Sequence, residues 1–188
     1  QATAERLEWR SPSGAPVFGY FIRPQIGHPP YPTVIVQYRA RGFLRGGSGD
    51  FSPVQAYARA GLAVFVVDRP ENEDAWARND DDDRRERDSW RGLRERRDVY
   101  GALERGIDTL VHRGDVDAER IGISGFSDGA VTAAFAIIQS RRYRAASISA
   151  GTWEPISYYM ASPEARAFMS ELGIGMPGGV ARVAVEEK

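Results

Sequence analysis

The sequence predicts an α/β fold, with a mostly parallel sheet and helices on both of its faces. Apolar runs alternate along the chain with helical patterns, as they do where helical crossovers join parallel strands. Three of these runs, TVIVQY, LAVFVVD and RIGIS, are continuous, which is typical of strands covered on both faces. The chain has 188 residues and is 42% hydrophobic, so we expect one domain with a substantial core.

The first half of the chain predicts four strands and one short helix. Pro53 lies in the first turn of that helix, where a missing N–H costs nothing because the donor has no intrahelical partner. The turn Ser11–Gly14 separates the first two strands, and residues 40–50 are rich in glycine and predict no regular structure. The strands cover residues 5–10, 16–23, 33–38 and 62–68, and the helix covers residues 53–60.

The second half predicts a long loop, three helices and two strands. The first of these helices has apolar residues at three- and four-residue steps, which predicts one buried face. That face consists of Leu93, Tyr100, Leu103, Ile107 and Leu110. The next helix, VTAAFAIIQS, is apolar almost throughout and is predicted to be buried. The loop covers residues 69–88, the helices 89–112, 131–140 and 163–172, and the strands 120–124 and 145–151.

Composition excludes several classes of function. A net charge of −1 gives no electrostatic basis for binding nucleic acid or an anionic membrane. The chain has no cysteine, which excludes disulfides, thiolate metal sites and a cysteine nucleophile. The run Asp80–Asp83, flanked by arginines, is typical of a solvated charge cluster and not of a cation site. We therefore expect no nucleic-acid or membrane partner, and the absence of thiols leaves the compartment open.

Residues 125–129 read Gly-Phe-Ser-Asp-Gly, a G-x-S-x-G pentapeptide. A buried strand precedes it and an alanine-rich helix follows, which is the context of a nucleophile elbow, a tight turn that exposes a serine. Ser127 Oγ would then lie at the carboxyl edge of the sheet, and the backbone N–H of Asp128 would donate to an oxyanion. An ordinary strand–turn–helix crossover, using glycine for space, is the alternative.

The segment VIVQYRARGF, the run LAVFVVDRP, the pentapeptide and AASISAG together resemble the catalytic domain of prolyl-oligopeptidase-type serine peptidases, which has the α/β-hydrolase fold. The resemblance covers about residues 5–160, and the segment Tyr-Arg-Ala-Arg-Gly-Phe is most similar to the lasso peptide isopeptidase branch. The resemblance implies a peptide substrate cleaved at an amide, here the isopeptide bond of a lasso peptide, through an acyl-enzyme. It implies no metal or organic cofactor, and a bacterial cytoplasmic or periplasmic location.

The resemblance also assigns roles to aromatic residues outside the pentapeptide. In the family, a tyrosine hydroxyl after this strand is the second oxyanion donor, and Tyr38 falls at the matching position. The alternative for Tyr38 is a core tyrosine at a strand end. Trp153, Tyr158 and Tyr159 fall where relatives wall the pocket for the residue before the scissile bond, and ordinary core or interface packing is their alternative.

The base and acid that a serine nucleophile needs are not evident in the sequence. His28 and His112 both precede predicted parallel strands, which places them at the amino edge of the sheet, opposite Ser127. A five-residue strand spans ~16 Å, so neither imidazole is expected to reach the serine. In this fold the acid and base follow the nucleophile along the chain.

We therefore expect residues 1–188 to be the N-terminal part of the catalytic domain, incomplete at its C-terminal side. The expected partner is the remaining part of the enzyme, a β-propeller and a C-terminal Asp/His segment, present as a separate chain or a missing segment. Two rival functions fit the same residues. An esterase or acyl-aminoacyl peptidase would share the nucleophile and the oxyanion donors, and a non-catalytic binding chain would keep the fold without a triad.

Overall fold

The computed structural model describes residues 3–37, 53–70, 93–151 and 162–171. These residues form one six-stranded sheet and four helices. The strands are β1 Thr3–Arg10, β2 Pro16–Arg23, β3 Tyr31–Gln37, β4 Ala63–Val67, β5 Val116–Phe126 and β6 Tyr143–Ser149. The helices are α1 Val54–Arg59, α2 Arg94–His112, α3 Asp128–Gln139 and α4 Pro163–Glu171. The predicted Gly-rich segment 40–50 and the run Asp80–Asp83 lie outside the described residues.

The sheet has the strand order β1-β2-β4-β3-β5-β6. The strands β4, β3, β5 and β6 are parallel to one another, whereas β1 and β2 form an antiparallel hairpin whose β2 pairs antiparallel with β4. The prediction of a mostly parallel sheet is therefore confirmed. The carboxyl ends of the four parallel strands lie along one edge, where α/β proteins bind their ligands.

Helices cover both faces of the sheet, as predicted, and the side chains of β4 show why. Val64 and Val66 point to one face and pack in a cluster with residues of α1. Phe65 and Val67 point to the other face and pack with residues of α2 and α3. Because successive strand residues alternate between faces, a strand between two helix layers must be apolar at every position.

Helix α2 begins later than predicted, at Arg94. Leu93 precedes it in the left-handed conformation, with φ 55°, and is 44% exposed, so its predicted place on the buried face was wrong. A residue with that backbone conformation does not continue the helical turn, and its side chain leaves the apolar stripe. Leu103, Ile107 and Leu110 are fully buried, as the spacing predicts.

Helix α3 is buried on one face only. Ala130, Ala133 and Ala136 have no exposed surface, but Ile137 is 39% exposed and Ile138 is 78% exposed. The prediction that this helix is buried was therefore wrong at its C-terminal end. The small side chains face the sheet and allow close packing, while the two isoleucines face away from it.

The β1–β2 hairpin is fastened to α2 by polar contacts. Trp9 Nε1 donates to the Ala102 carbonyl at 2.8 Å, and the Ser13 backbone N–H donates to Asp98 Oδ1 at 2.7 Å. A Cβ at Gly101 would lie 2.4 Å from a side-chain atom of the hairpin turn, so the helix and the turn are in direct contact. These contacts fix α2 against the sheet and so fix the position of its N-terminal turn.

None of the helices in the four described ranges has the length and apolar character needed to cross a membrane. The same residues contain no group of three or more His, Asp or Glu side chains arranged to hold a metal ion.

Candidate active site

Ser127 occupies the single residue between the end of β5 and the start of α3. Its backbone has φ 54° and ψ −124°, a conformation that non-glycine residues rarely adopt. Such a conformation costs of order 1–3 kcal/mol and persists only where the surroundings enforce it. A strained serine on a sharp strand-to-helix turn is the geometry of a nucleophile elbow.

The turn is tight enough to require glycine at position 125. A Cβ on Gly125 would lie 2.1 Å from the carbonyl oxygen of Gly129 and 2.7 Å from the backbone nitrogen of Ala130. These are backbone atoms of the first turn of α3, so they cannot move aside as a flexible side chain would. The close approach of strand and helix at this point therefore depends on the missing side chain.

Backbone hydrogen bonds hold Ser127 on both sides. Its N–H donates to the carbonyl of Ser149 at the end of β6, 3.1 Å away. Its carbonyl accepts from the N–H of Ala130 at 2.9 Å, which begins the hydrogen bonding of α3. Ser127 is half-buried. The elbow is thus fixed at the carboxyl edge of the sheet while its side chain remains partly open to solvent.

Asp128, the first residue of α3, holds its carboxylate between two arginines. Arg96 Nη2 lies 2.6 Å from Asp128 Oδ1, and Arg69 Nη1 lies 2.9 Å from Asp128 Oδ2. Arg96 comes from the first turn of α2 and is only 8% exposed. Arg69 follows β4 at the carboxyl edge and also forms an ion pair with Glu95. Strand, helix and elbow are therefore joined by charged groups next to the serine.

Neither arginine was singled out in the sequence analysis, although the sequence contains a signal for each. Arg96 lies seven residues before Leu103, which places a charged side chain on the apolar face of α2. Arg69 comes two residues after the end of a buried parallel strand, at the edge where functional side chains gather.

The two histidines lie at the other edge of the sheet. His28 is exposed and precedes β3, and His112 is the last residue of α2, before β5, with its Nδ1 2.7 Å from the Asp108 carbonyl. Even the continuously paired part of β5, Ile121–Gly125, spans roughly 16 Å between that edge and Ser127. The structure brings neither histidine to the serine.

Four predicted site residues lie outside the described residues, and their roles stay predictions. They are Tyr38, Trp153, Tyr158 and Tyr159.

The fold is that of an α/β-hydrolase, and the turn at Ser127 has the geometry of its nucleophile elbow. Residues 92–174 match the prolyl oligopeptidase family. The chain is 40% identical over 145 residues to the lasso peptide isopeptidase AtxE2 of Asticcacaulis excentricus, a match that covers 76% of this chain and 21% of that protein. The predicted resemblance, to prolyl-oligopeptidase-type peptidases and most closely to the lasso peptide isopeptidase branch, is confirmed.

Solved structures give the same result. The apo structure of AtxE2 isopeptidase matches with a TM-score of 0.80 and 36% identity, over 92% of this chain and 27% of that one. An acylaminoacyl peptidase of Pyrococcus horikoshii matches with a TM-score of 0.64 and 19% identity, over 93% of this chain and 27% of that one, which shows the shared fold alone. The chain spans about a fifth of the length of its curated relative.

Proposed function

We propose that this protein hydrolyses an amide bond of a peptide, with Ser127 as the nucleophile. The observation that carries the proposal is the strained backbone of Ser127, φ 54°, between a buried strand and a helix N-terminus. A crossover that used glycine only for space would place glycine, not serine, at the position with positive φ. The similarity to peptidases over the same residues supports the assignment.

The chemistry follows from the groups at the elbow. Ser127 Oγ attacks the carbonyl carbon and gives its proton to a base, and the amine departs with that proton to leave an acyl-enzyme. Water then hydrolyses the ester and restores the serine. The Asp128 N–H at the start of α3 and the Tyr38 hydroxyl donate to the oxyanion. Gln37, which precedes Tyr38 in the chain, pairs with Gly125 in the sheet, which supports this role for Tyr38.

The base and its acid come from outside residues 1–188. The chain contains two histidines, and both lie at the amino edge of the sheet. Among the described residues, β6 has one neighbouring strand, β5, and its residues Ala145–Ser147 are exposed. We assign this edge of β6 to a later segment of the same protein or to a second polypeptide, which pairs there and supplies the Asp and the His.

The proposed substrate is inferred from sequence similarity to a relative. The relative that is 40% identical is a lasso peptide isopeptidase, so the proposed bond is the isopeptide bond of a lasso peptide. Trp153, Tyr158 and Tyr159 are the proposed walls of the pocket next to the scissile bond, because broad aromatic faces suit an apolar or ring-shaped side chain.

A fluorophosphonate probe and a pair of substrates test the proposal. The assembled enzyme should become labelled on Ser127, and the chain 1–188 alone should react at least about 100-fold more slowly because it lacks the base. A threaded peptide with an intact isopeptide bond should be opened, whereas an ester of the same acyl group measures esterase activity. Equal labelling of the Ser127→Ala variant, or hydrolysis of the ester without the amide, would contradict the peptidase assignment.

A further inference from the structure

A carboxylate directly after the nucleophile creates an electrostatic problem. Asp128 is proposed to donate its backbone N–H to an oxyanion, yet its own side chain carries the same sign of charge. In a partly buried site, two negative groups a few ångströms apart repel each other far more than they do in water. The oxyanion is therefore stabilised only if the carboxylate is neutralised by another group.

Arg96 is placed to neutralise it. Its Nη2 lies 2.6 Å from Asp128 Oδ1 and its Nη1 lies 3.4 Å from Oδ2, so the guanidinium contacts both carboxylate oxygens. Nη1 also donates to Thr132 Oγ1 at 2.5 Å, one turn further along α3. Arg96 is buried and lies in the first turn of α2. A guanidinium that contacts both oxygens of a carboxylate fixes the orientation of that carboxylate as well as neutralising its charge.

Arg69 cannot replace Arg96 in this role. Its guanidinium is shared between Asp128 and Glu95, and its backbone N–H donates to the buried Asp68. Loss of Arg96 would remove one positive charge and two hydrogen bonds from the Asp128 carboxylate, next to where the oxyanion forms.

We propose that Arg96 is a positioning residue for the oxyanion site: it neutralises the Asp128 carboxylate and holds the first turn of α3 so that the Asp128 N–H stabilises the oxyanion. This inference rests on the proposed function of Ser127. Arg96 acts through Asp128. Because the ground-state carbonyl is neutral, loss of Arg96 should lower kcat much more than it weakens substrate binding.

The test compares Arg96→Met with the double variant Arg96→Met/Asp128→Asn in the assembled enzyme. The measurements are the labelling rate of Ser127 by a fluorophosphonate, and kcat and KM for p-nitrophenyl acetate. Arg96→Met should lower the labelling rate and kcat at least about tenfold with KM within about threefold, and the double variant should regain at least about fivefold. The second substitution restores the rate because it removes the carboxylate that Arg96 neutralised.

Arg105→Met is the matched control. It removes the same side chain from the same helix, about 13.5 Å further along, where Arg105 Nη1 donates to the carbonyls of Arg10 and Ser11. Its labelling rate should stay within about threefold of the parent, whatever its effect on thermal stability. A loss of labelling rate as large as that of Arg96→Met would mean that substitutions in α2 lower the rate only by disturbing the fold, which overturns the proposal.

A double variant that reacts no faster than Arg96→Met also overturns it. If Arg96→Met does not fold, a folded double variant decides: reaction within about tenfold of the parent supports the proposal, and loss beyond about 100-fold overturns it. Failure of both variants to fold shows a folding role and likewise overturns it.

Ser127→Ala is measured in parallel as a control on the proposed function. If it labels as fast as the parent, the proposed function has failed, whereas loss of labelling in Ser127→Ala without rescue in the double variant refutes only the role of Arg96.

Discussion

The backbone N–H of Ser127 donates to the carbonyl oxygen of Ser149, 3.1 Å away, and joins the turn after β5 to the end of β6. Ser127 follows β5 and Ser149 ends the neighbouring parallel strand β6, so this bond extends the strand pairing by one residue into the elbow. It satisfies a backbone donor that the departing strand would otherwise leave without a strand partner. The strained conformation of Ser127 is therefore enforced by β6 as well as by the first turn of α3.

The first prediction concerns the serine itself. Ser127→Ala should abolish hydrolysis by the assembled enzyme with little change in folding, because the side chain is half-buried and the backbone makes the local hydrogen bonds. Ser127→Gly should also be inactive but more stable than Ser127→Ala by about 1 kcal/mol, since glycine relieves the strain at φ 54°. Hydrolysis rates and thermal unfolding check both. Activity of Ser127→Ala within about tenfold of the parent would remove the serine from the mechanism.

A second prediction tests the other oxyanion donor. Tyr38→Phe should lower kcat roughly 10²–10³-fold, the usual cost of losing one such donor. KM should change much less, because the hydroxyl acts on charge that develops in the transition state. Steady-state kinetics on a peptide substrate measure both constants. A rise in KM at constant kcat would make Tyr38 a binding residue.

The third prediction uses two glycines of the same strand. Gly125→Ala should cost about 4 kcal/mol or more, or prevent folding, because its Cβ would lie 2.1 Å from a backbone oxygen. Gly122→Ala is the control: its Cβ would meet Ala145 at an ordinary 3.5 Å, so stability should stay within about 1 kcal/mol of the parent. Denaturant unfolding of both variants checks this. Equal tolerance of the two alanines would show that the elbow is less tight than described.

The fourth prediction concerns acid stability. Hydrogen bonds from Arg113, and then from Arg23, lower the pKa of Glu5 from 4.5 to about 2 against the opposing effect of burial. Because the folded pKa lies below the unfolded one, the stability from Glu5 is present above about pH 4.5 and is lost as the pH falls towards about 2. Glu5→Gln should therefore lower the unfolding temperature near neutral pH and lose that effect by about pH 2.

Glu8→Gln is the control for this pH series. Glu8 lies on the same strand and pairs with Arg6 at 2.9 Å, but its side chain is 67% exposed, whereas that of Glu5 is 32% exposed. Exposed pairs contribute little to stability. Unfolding temperatures that differ between parent and Glu5→Gln by the same amount at every pH would refute the assignment.

Much of this architecture could be predicted because its signals are local. Strands β3 and β4 read as continuous apolar runs, and the helix that includes Leu103, Ile107 and Leu110 reads as a three-to-four-residue period. The elbow is equally local, since Gly125, Ser127 and Gly129 lie within one turn of chain whose tightness needs glycine. The predictions for Leu93 and Ile138 were wrong because apolar character alone does not say which residues the neighbouring layer covers.

The sequence by itself therefore determined the element types, the elbow, and the edge of the sheet that carries it, since strand polarity follows from chain direction. Only the tertiary structure decided what surrounds the serine. Arg69 follows β4, Arg96 lies on α2 and Asp128 opens α3, and no pattern in the chain relates the three. They meet because the carboxyl ends of β4 and β5 lie at the same edge of the sheet and α2 packs on the face that both strands share. The spacing of apolar residues indicates which side chains are buried. Contact between distant segments depends instead on the order of the strands and the packing of the helices.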